Sequence, residues 1–193
     1  INQYSKTDLA VAPTLLLEFH GTDQGVKEQA EIVQEIAVDS GGSNFQWTTN
    51  TEERNRLWQA RHDAAYACKA LRPGGEIWAT DVCVPISRLA ECIRETQQDI
   101  LDFGLFAPIV GHVGDGNFHL CLLVGKDDPA ESKKANELHE RMVMRALGMG
   151  GTCTGEHGVG YGKLDFLVAE HGEAISVMRS IKQALDPDNI MNP

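Results

Sequence analysis

The sequence lacks three features that would assign it to a broad class at once. Its five scattered cysteines include no C-x-x-C pair, which argues against a zinc ribbon or a disulfide framework and is typical of buried thiols in a reducing compartment. It has no targeting presequence and no apolar run of about 18 residues, so it predicts no membrane span. Its 17 Lys and Arg residues are outnumbered by 28 Asp and Glu residues, and the net charge of -11 argues against nucleic-acid binding.

The length of 193 residues suits one domain with a sizeable core, and no internal repeat interrupts it. The chain starts at Ile1 without an initiator methionine and stops at Asn192-Pro193. We therefore expect it to be part of a longer protein whose other part carries a cofactor.

Apolar periodicity predicts alternating strands and helices. Strands are predicted at residues 14–19, 45–48 and 77–84. Helices are predicted at residues 26–38, from a capping box at residues 49–52 to residue 72, and at residues 87–102, 130–147 and 164–185, the last broken near Gly172. This order predicts an α+β fold, a ferredoxin-like antiparallel sheet with added helices.

The segment from His112 to His119 predicts a β-hairpin, because Asp115-Gly116 lies between two half-apolar arms. A two-residue turn at Asp115-Gly116 places His112 directly opposite His119 on one face of the sheet. Two imidazoles placed in this way can bind one divalent cation. The alternative is that both are core histidines beside a tight turn.

A glycine-rich loop at residues 151–160 has neither helical nor strand periodicity and contains Glu156 next to His157. Glu156 is a candidate carboxylate ligand, and His157 is a candidate acid or base that need not bind the metal. Two histidines and one carboxylate would leave open positions on Zn²⁺ or Mn²⁺, as catalysis requires. The alternative is a surface turn whose Glu and His face water.

Together these motifs resemble a known family, the C-terminal domain of FAD-linked oxidases of the vanillyl-alcohol-oxidase type. Within the family the chain is most similar to the flavin-dependent, cytochrome-linked D-lactate dehydrogenase branch. The resemblance covers nearly the whole chain and rests on five segments: residues 57–62, 80–85, 111–119, 152–160 and 185–193.

The resemblance implies that residues 1–193 form a substrate- and metal-binding cap domain, with FAD bound mainly by an N-terminal domain absent from this chain. It assigns the divalent metal, Zn or Mn, to His112, His119 and Glu156, and the catalytic base to His157. Asn192 belongs to a C-terminal stretch that returns toward the FAD domain.

The resemblance also implies a substrate pocket. Arg61 matches an arginine that holds the substrate carboxylate, and Trp58 lies on the same helical face and would wall that pocket. Thr154 is expected to approach the substrate, with stabilisation of its loop as an equal alternative. Without the resemblance to the family, the preferred interpretation of Arg61 would be a surface side chain that covers Trp58 and binds no substrate.

The implied function is metal-assisted, FAD-dependent oxidation of a D-2-hydroxy acid, D-lactate being favoured, with cytochrome c or a quinone as electron acceptor. Cys121 occupies the place of an asparagine found in the 2-hydroxyglutarate relatives, which disfavours a dicarboxylate. The alternatives are a D-2-hydroxyglutarate dehydrogenase, a glycolate oxidase subunit, a non-catalytic binding module or a structural cap. We expect this chain to be inactive in isolation, and the protein to be mitochondrial if eukaryotic and cytoplasmic or peripheral to the membrane if bacterial.

Overall fold

The computed structural model describes every residue from Ile1 to Pro193, and the chain divides after Leu71 into two units. The first unit comprises Ile1–Leu71 and the second comprises Arg72–Pro193. The assignment of all residues to one cap domain stays a prediction.

The first unit is helical. Its helices are α1 (Asn2–Ser5), α2 (Asp23–Asp39), α3 (Thr51–His62) and α4 (Ala64–Ala70). The Thr22 hydroxyl caps α2 by accepting a hydrogen bond from a backbone N–H, and the Asn50 side chain caps α3 in the same way. The predicted helix at 26–38 is confirmed. The predicted helix after the capping box is also confirmed, but it begins one residue later than expected and is divided at Asp63.

The predicted strands at residues 14–19 and 45–48 are wrong, because neither segment is extended in a sheet. An isolated strand leaves its N–H and C=O groups unpaired, and the first unit contains no strand that pairs with either segment. Leu15 and Trp47, which the prediction buried, are 65% and 49% exposed.

The second unit carries the sheet. Its elements are β1 (Glu76–Ala79), β2 (Val82–Cys83), α5 (Ile86–Phe103), β3 (Ile109–His112), β4 (Asn117–Val124), α6 (Pro129–Gly148), α7 (Leu164–His171) and α8 (Ala174–Leu185). β4 is the central strand: β1 and β2 pair in succession with one of its edges, and β3 pairs with the other, all antiparallel. The single strand predicted at 77–84 is therefore interrupted at Thr80 and Asp81.

The sheet follows the ferredoxin-like strand order, although its fourth strand is reduced to one bridge. After α6 the chain returns to the β2 edge, where Thr152 forms an antiparallel bridge with Cys83. The order across the sheet is thus Thr152, β1 with β2, β4, then β3. The predicted α+β class is confirmed, but the strands come from residues 76–152 and not from the N-terminal segments.

The core of the second unit lies between one face of the sheet and helices α5 and α6. Successive side chains of a strand point to opposite faces, so Phe118, Leu120, Leu122 and Val124 enter the core while Asn117 and His119 lie on the other face. All eight β4 residues are buried. The strand therefore provides a rigid base for any polar group on its second face.

The C-terminal helical segment is broken at Gly172, as predicted, and forms α7 and α8. Gly172 has a φ of 50°, which glycine adopts more easily than other residues. No helix in the chain combines the length and the apolar character required to cross a membrane.

We predict that Leu138→Ala lowers the free energy of unfolding by about 2–5 kcal/mol, because it removes a fully buried side chain and leaves a cavity. Leu101→Ala is the matched control, since Leu101 is 72% exposed, and it should change the free energy by less than about 0.5 kcal/mol. Chemical denaturation of both variants measures the difference. Equal effects would contradict the described core.

Candidate functional site

The connection between β3 and β4 is longer than the sequence predicts. Four residues, 113–116, separate the strands, with a 3-10 turn over Val113–Asp115 and Gly116 at a φ of 77°. His112 therefore pairs with Asn117, and His119 pairs with Val110. The predicted two-residue turn, with His112 opposite His119, is wrong because the longer turn moves the register by two residues.

The shift of two residues preserves the face on which both histidines lie, because strand side chains alternate with a period of two. His112 and His119 are diagonal neighbours, and their ring centroids are 6.5 Å apart. The sheet therefore presents both imidazoles on the side opposite the hydrophobic core.

The glycine-rich loop places Glu156 beside these histidines. The Oε1 atom of Glu156 lies 2.8 Å from Nε2 of His119, 3.7 Å from Nε2 of His112 and 4.0 Å from Nε2 of His157. Ligand atoms around a tetrahedral Zn²⁺ are separated by about 3.4 Å, given bond lengths of ~2.1 Å. Only His119, Glu156 and His157 have ligand atoms that all lie within 4.8 Å of one another, so by mutual distance His157 is better placed than His112 to be the third ligand.

The orientation of His119 depends on the interruption between β1 and β2. Leu120 donates its N–H to the Thr80 hydroxyl at 2.8 Å, in place of a carbonyl of the ladder. The Thr80 carbonyl lies 2.9 Å from His119 Nδ1. A carbonyl only accepts, so Nδ1 carries the proton, and in neutral His119 the Nε2 lone pair is directed at Glu156.

The Asp81 carboxylate holds the loop that carries Glu156 and His157. It accepts hydrogen bonds from the backbone N–H groups of residues 155, 156 and 157 at 2.9, 3.1 and 3.0 Å. The Thr154 hydroxyl, the Asn117 amide and the Lys163 ammonium also donate to it, at 2.8, 2.8 and 3.3 Å. Asp81 thus satisfies three successive backbone donors of a loop that has no regular secondary structure.

The pKa of Asp81 reflects this environment. Burial by itself would raise the pKa, but hydrogen bonds from the His157 N–H, the Thr154 hydroxyl, the Asn117 amide and the Glu156 N–H outweigh it. The pKa of Asp81 therefore lies well below the ordinary value of an aspartate. Asp81 is an anion at neutral pH, and Lys163, itself 9% exposed, is its nearest counter-ion.

Glu170 of α7 fixes the beginning of the same loop. Its carboxylate accepts hydrogen bonds from the Cys153 N–H at 2.8 Å and from the Thr152 hydroxyl at 3.1 Å. Burial, followed by the contacts with Glu170, raises the pKa of the Cys153 thiol to about 11. Cys153 keeps its proton at neutral pH, so it is not a thiolate ligand beside the candidate site.

The donor set fits a divalent cation. Nε2 of His119 and Oε1 of Glu156 lie 2.8 Å apart, which is close enough to require a proton or a cation between them. The donor atoms of His119, Glu156 and His157 all lie within 4.8 Å of one another. Imidazole nitrogens with a carboxylate oxygen suit Zn²⁺ or Mn²⁺.

Of the other predicted site residues, only Thr154 lies in the loop of the candidate site. Trp58 and Arg61 are on α3 in the first unit, and Asn192 is in the C-terminal segment after α8. Thr154 donates its hydroxyl proton to Asp81, which is the loop-stabilising role. The assignments of Trp58, Arg61, Thr154 and Asn192 to substrate or cofactor stay predictions.

The sequence did not reveal Lys163 and Glu170 as parts of this site. Both lie in helical or glycine-flanked stretches where Lys and Glu are usually hydrated, so no periodicity singles them out. The strand position of Asp81, directly after a buried threonine, is compatible with many roles.

Comparison with known proteins gives consistent results. The family model for the C-terminal domain of FAD linked oxidases matches residues 1–193. A probable mitochondrial D-lactate dehydrogenase of Danio rerio is 50% identical over 193 residues, covering 100% of this chain and 39% of the relative. A mitochondrial D-lactate dehydrogenase [cytochrome] of Arabidopsis thaliana is 44% identical over 194 residues, covering 100% of this chain and 34% of the relative.

A solved structure supports the fold. The 4-ethylphenol oxidase from Gulosibacter chungangensis, in an isoeugenol complex, superposes with a TM-score of 0.62 at 18% identity, covering 90% of this chain and 37% of that one. At this identity the likeness concerns the fold only. The chain thus spans less than two fifths of the length of these relatives.

We predict that neutral His119 is the Nδ1–H tautomer, because the Thr80 carbonyl at 2.9 Å accepts only a proton donor. Nitrogen NMR of imidazole-labelled protein without metal distinguishes the two tautomers. The exposed His20 is the control, since its ring nitrogens lack a buried carbonyl partner and should show mixed tautomers. A proton on Nε2 of neutral His119 would contradict the described orientation.

Proposed function

The chain belongs to the FAD linked oxidases as their C-terminal domain, and from that premise we propose that it supplies the metal and substrate site of an FAD-dependent D-2-hydroxy-acid dehydrogenase. The favoured substrate is D-lactate and the product is the 2-oxo acid. The observation that carries this proposal is the approach of three histidine Nε2 atoms to within 4.0 Å of Glu156 Oε1.

In this proposal His112, His119 and Glu156 hold a divalent cation, Zn²⁺ or Mn²⁺. When bound, the cation supplies Lewis acidity that stabilises the alkoxide formed from the substrate hydroxyl. The Thr80 carbonyl supports the ligand role of His119, because an acceptor on Nδ1 increases the basicity of Nε2.

His157 acts as the general base of the reaction. It takes the hydroxyl proton on Nε2, which is 4.0 Å from Glu156 and not hydrogen-bonded to it. The side chain is 59% exposed, so its ring is accessible to a ligand that enters from the solvent side. The His157 N–H is bound to Asp81, which limits movement of the residue during the proton transfer.

Arg61 binds the substrate carboxylate with its planar guanidinium, and Trp58 lines the same pocket. FAD supplies the acceptor for the hydride from the substrate Cα. We assign most of the FAD site to a part of the protein beyond this chain, with Asn192 as a contact from the C-terminal segment. The length of the relatives beyond the matched region supports this division.

The substrate class and cellular site follow from the relatives and from one residue. Both relatives named above carry D-lactate dehydrogenase in their names, and both are described as mitochondrial. The small side chain of Cys121, in the place of an asparagine, favours a monocarboxylate. We therefore propose that the enzyme is mitochondrial if its source is a eukaryote, with a cytochrome favoured over a quinone as the electron acceptor.

We predict that His157→Gln in the full-length protein lowers kcat with D-lactate by about 10²–10⁴-fold, because it removes the general base. Metal content, measured by mass spectrometry of the protein, should stay stoichiometric. His119→Ala should lose both the metal and the activity, and His20→Gln should lose neither.

The metal content separates the roles of these histidines. A His157→Gln variant without bound metal would show that His157 is a ligand and not the base. If the wild-type protein binds metal and D-lactate but its flavin is never reduced, the protein is a non-catalytic binding module and not a dehydrogenase.

We also predict that Arg61→Lys lowers kcat/KM for D-lactate by well over about tenfold, because lysine cannot bind two carboxylate oxygens in one plane. Steady-state kinetics of the full-length protein measure this effect. Arg56→Lys, on the exposed side of the same helix, is the matched control and should leave kcat/KM unchanged. An unchanged kcat/KM for Arg61→Lys would exclude the carboxylate role.

A further inference from the structure

Asp81 is a buried aspartate that accepts hydrogen bonds from six donor groups. Its carboxylate is 1% exposed, and it accepts from three successive backbone N–H groups, one hydroxyl, one amide and one ammonium. Successive backbone N–H groups that converge on one anion form a nest, a structure that binds phosphates or other anions in many proteins. In this chain the anion bound by the nest is the carboxylate of Asp81, which lies between β1 and β2.

The nest contains the two residues that carry the chemistry. The second and third of its N–H groups belong to Glu156 and His157, so the positions of their Cα atoms relative to β4 are set by Asp81. The close packing of Gly155 supports this description, because a Cβ there would lie 1.8 Å from Nδ2 of Asn117. The loop therefore packs against Asn117 too closely for any side chain at residue 155.

The same interruption of the sheet serves His119. Thr80 directs its carbonyl to His119 Nδ1, and the next residue, Asp81, directs its carboxylate to the loop. Two adjacent residues thus control a ligand on the strand and the residues on the loop.

We propose that Asp81 is a positioning residue, which holds Glu156 and His157 in their functional geometry before any metal binds. The predicted effect of Asp81 on metal affinity rests on the proposed function. The predicted effect of Asp81 on the order of the loop does not. The site is then preorganised, and metal binding requires little rearrangement of residues 154–157.

The test compares two buried carboxylates in the full-length protein. Asp81→Asn replaces a carboxylate that accepts from three N–H groups with a neutral amide, which has one accepting oxygen and a donating NH2 group. Asp99→Asn is the matched control: Asp99 is 4% exposed and paired with Arg145 and Arg141, but it contacts no residue of the candidate site. Both variants are expected to be less stable than the wild type.

Two measurements distinguish a positioning role from a structural one. Hydrogen exchange of a peptide covering residues 152–160, measured without metal, should be at least about tenfold faster in Asp81→Asn and unchanged in Asp99→Asn. Zinc affinity, measured by isothermal titration of the metal-free protein, should fall by about 10–100-fold in Asp81→Asn only. Unchanged exchange in Asp81→Asn, or equal effects of both substitutions, would overturn the proposal.

A milder variant keeps the test decisive if Asp81→Asn does not fold. Thr154→Val preserves the side-chain shape and removes one hydrogen bond to Asp81. It should accelerate exchange of the same peptide and lower zinc affinity several-fold, and no change in either would overturn the proposal. A wild-type protein that binds no zinc would contradict the proposed function, while the exchange measurement would still decide the role of Asp81.

Discussion

The interruption of the sheet between β1 and β2 is the feature on which the candidate site depends. A continuous strand at residues 76–83 would use its carbonyls in the ladder with β4. At Thr80 the hydroxyl replaces one ladder acceptor, and the released carbonyl orients His119. The Asp81 carboxylate accepts hydrogen bonds from three N–H groups of the loop. The interruption of one strand therefore orients His119 and brings the loop with Glu156 and His157 beside it, while the pairing of β3 with β4 places His112.

This arrangement contains a buried charge, which is costly unless it is paired and hydrogen-bonded. Lys163 provides the opposite charge, and the backbone and side-chain donors around Asp81 replace the water that the carboxylate loses. An apolar residue in this place would leave the three loop N–H groups without their acceptor, so the buried charge is tied to the geometry of the loop. Rigid support of this kind is what a metal site needs, because small displacements of its ligands weaken binding.

Sequence patterns predicted most of the helices and the face of the histidines, but not the path of the loop. A change of register by two residues keeps His112 and His119 on the same face of the sheet. The prediction of a shared face is therefore correct although the predicted turn at residues 113–116 is wrong. The strands predicted at 14–19 and 45–48 failed because an apolar run specifies burial but not a pairing partner. The roles of Lys163 and Glu170 depend on contacts between distant segments, which no local pattern encodes.

The central claim is that His112, His119 and Glu156 share one cation beside His157, and crystallography of the full-length protein tests it most directly. Diffraction data from zinc- or manganese-loaded crystals, collected on both sides of the metal absorption edge, locate the cation by its anomalous signal. A single peak is expected about 2.0–2.2 Å from His119 Nε2 and Glu156 Oε1, with His112 completing the protein ligands. A peak elsewhere in the molecule, or no peak between the strand histidines and the loop carboxylate, would contradict this claim.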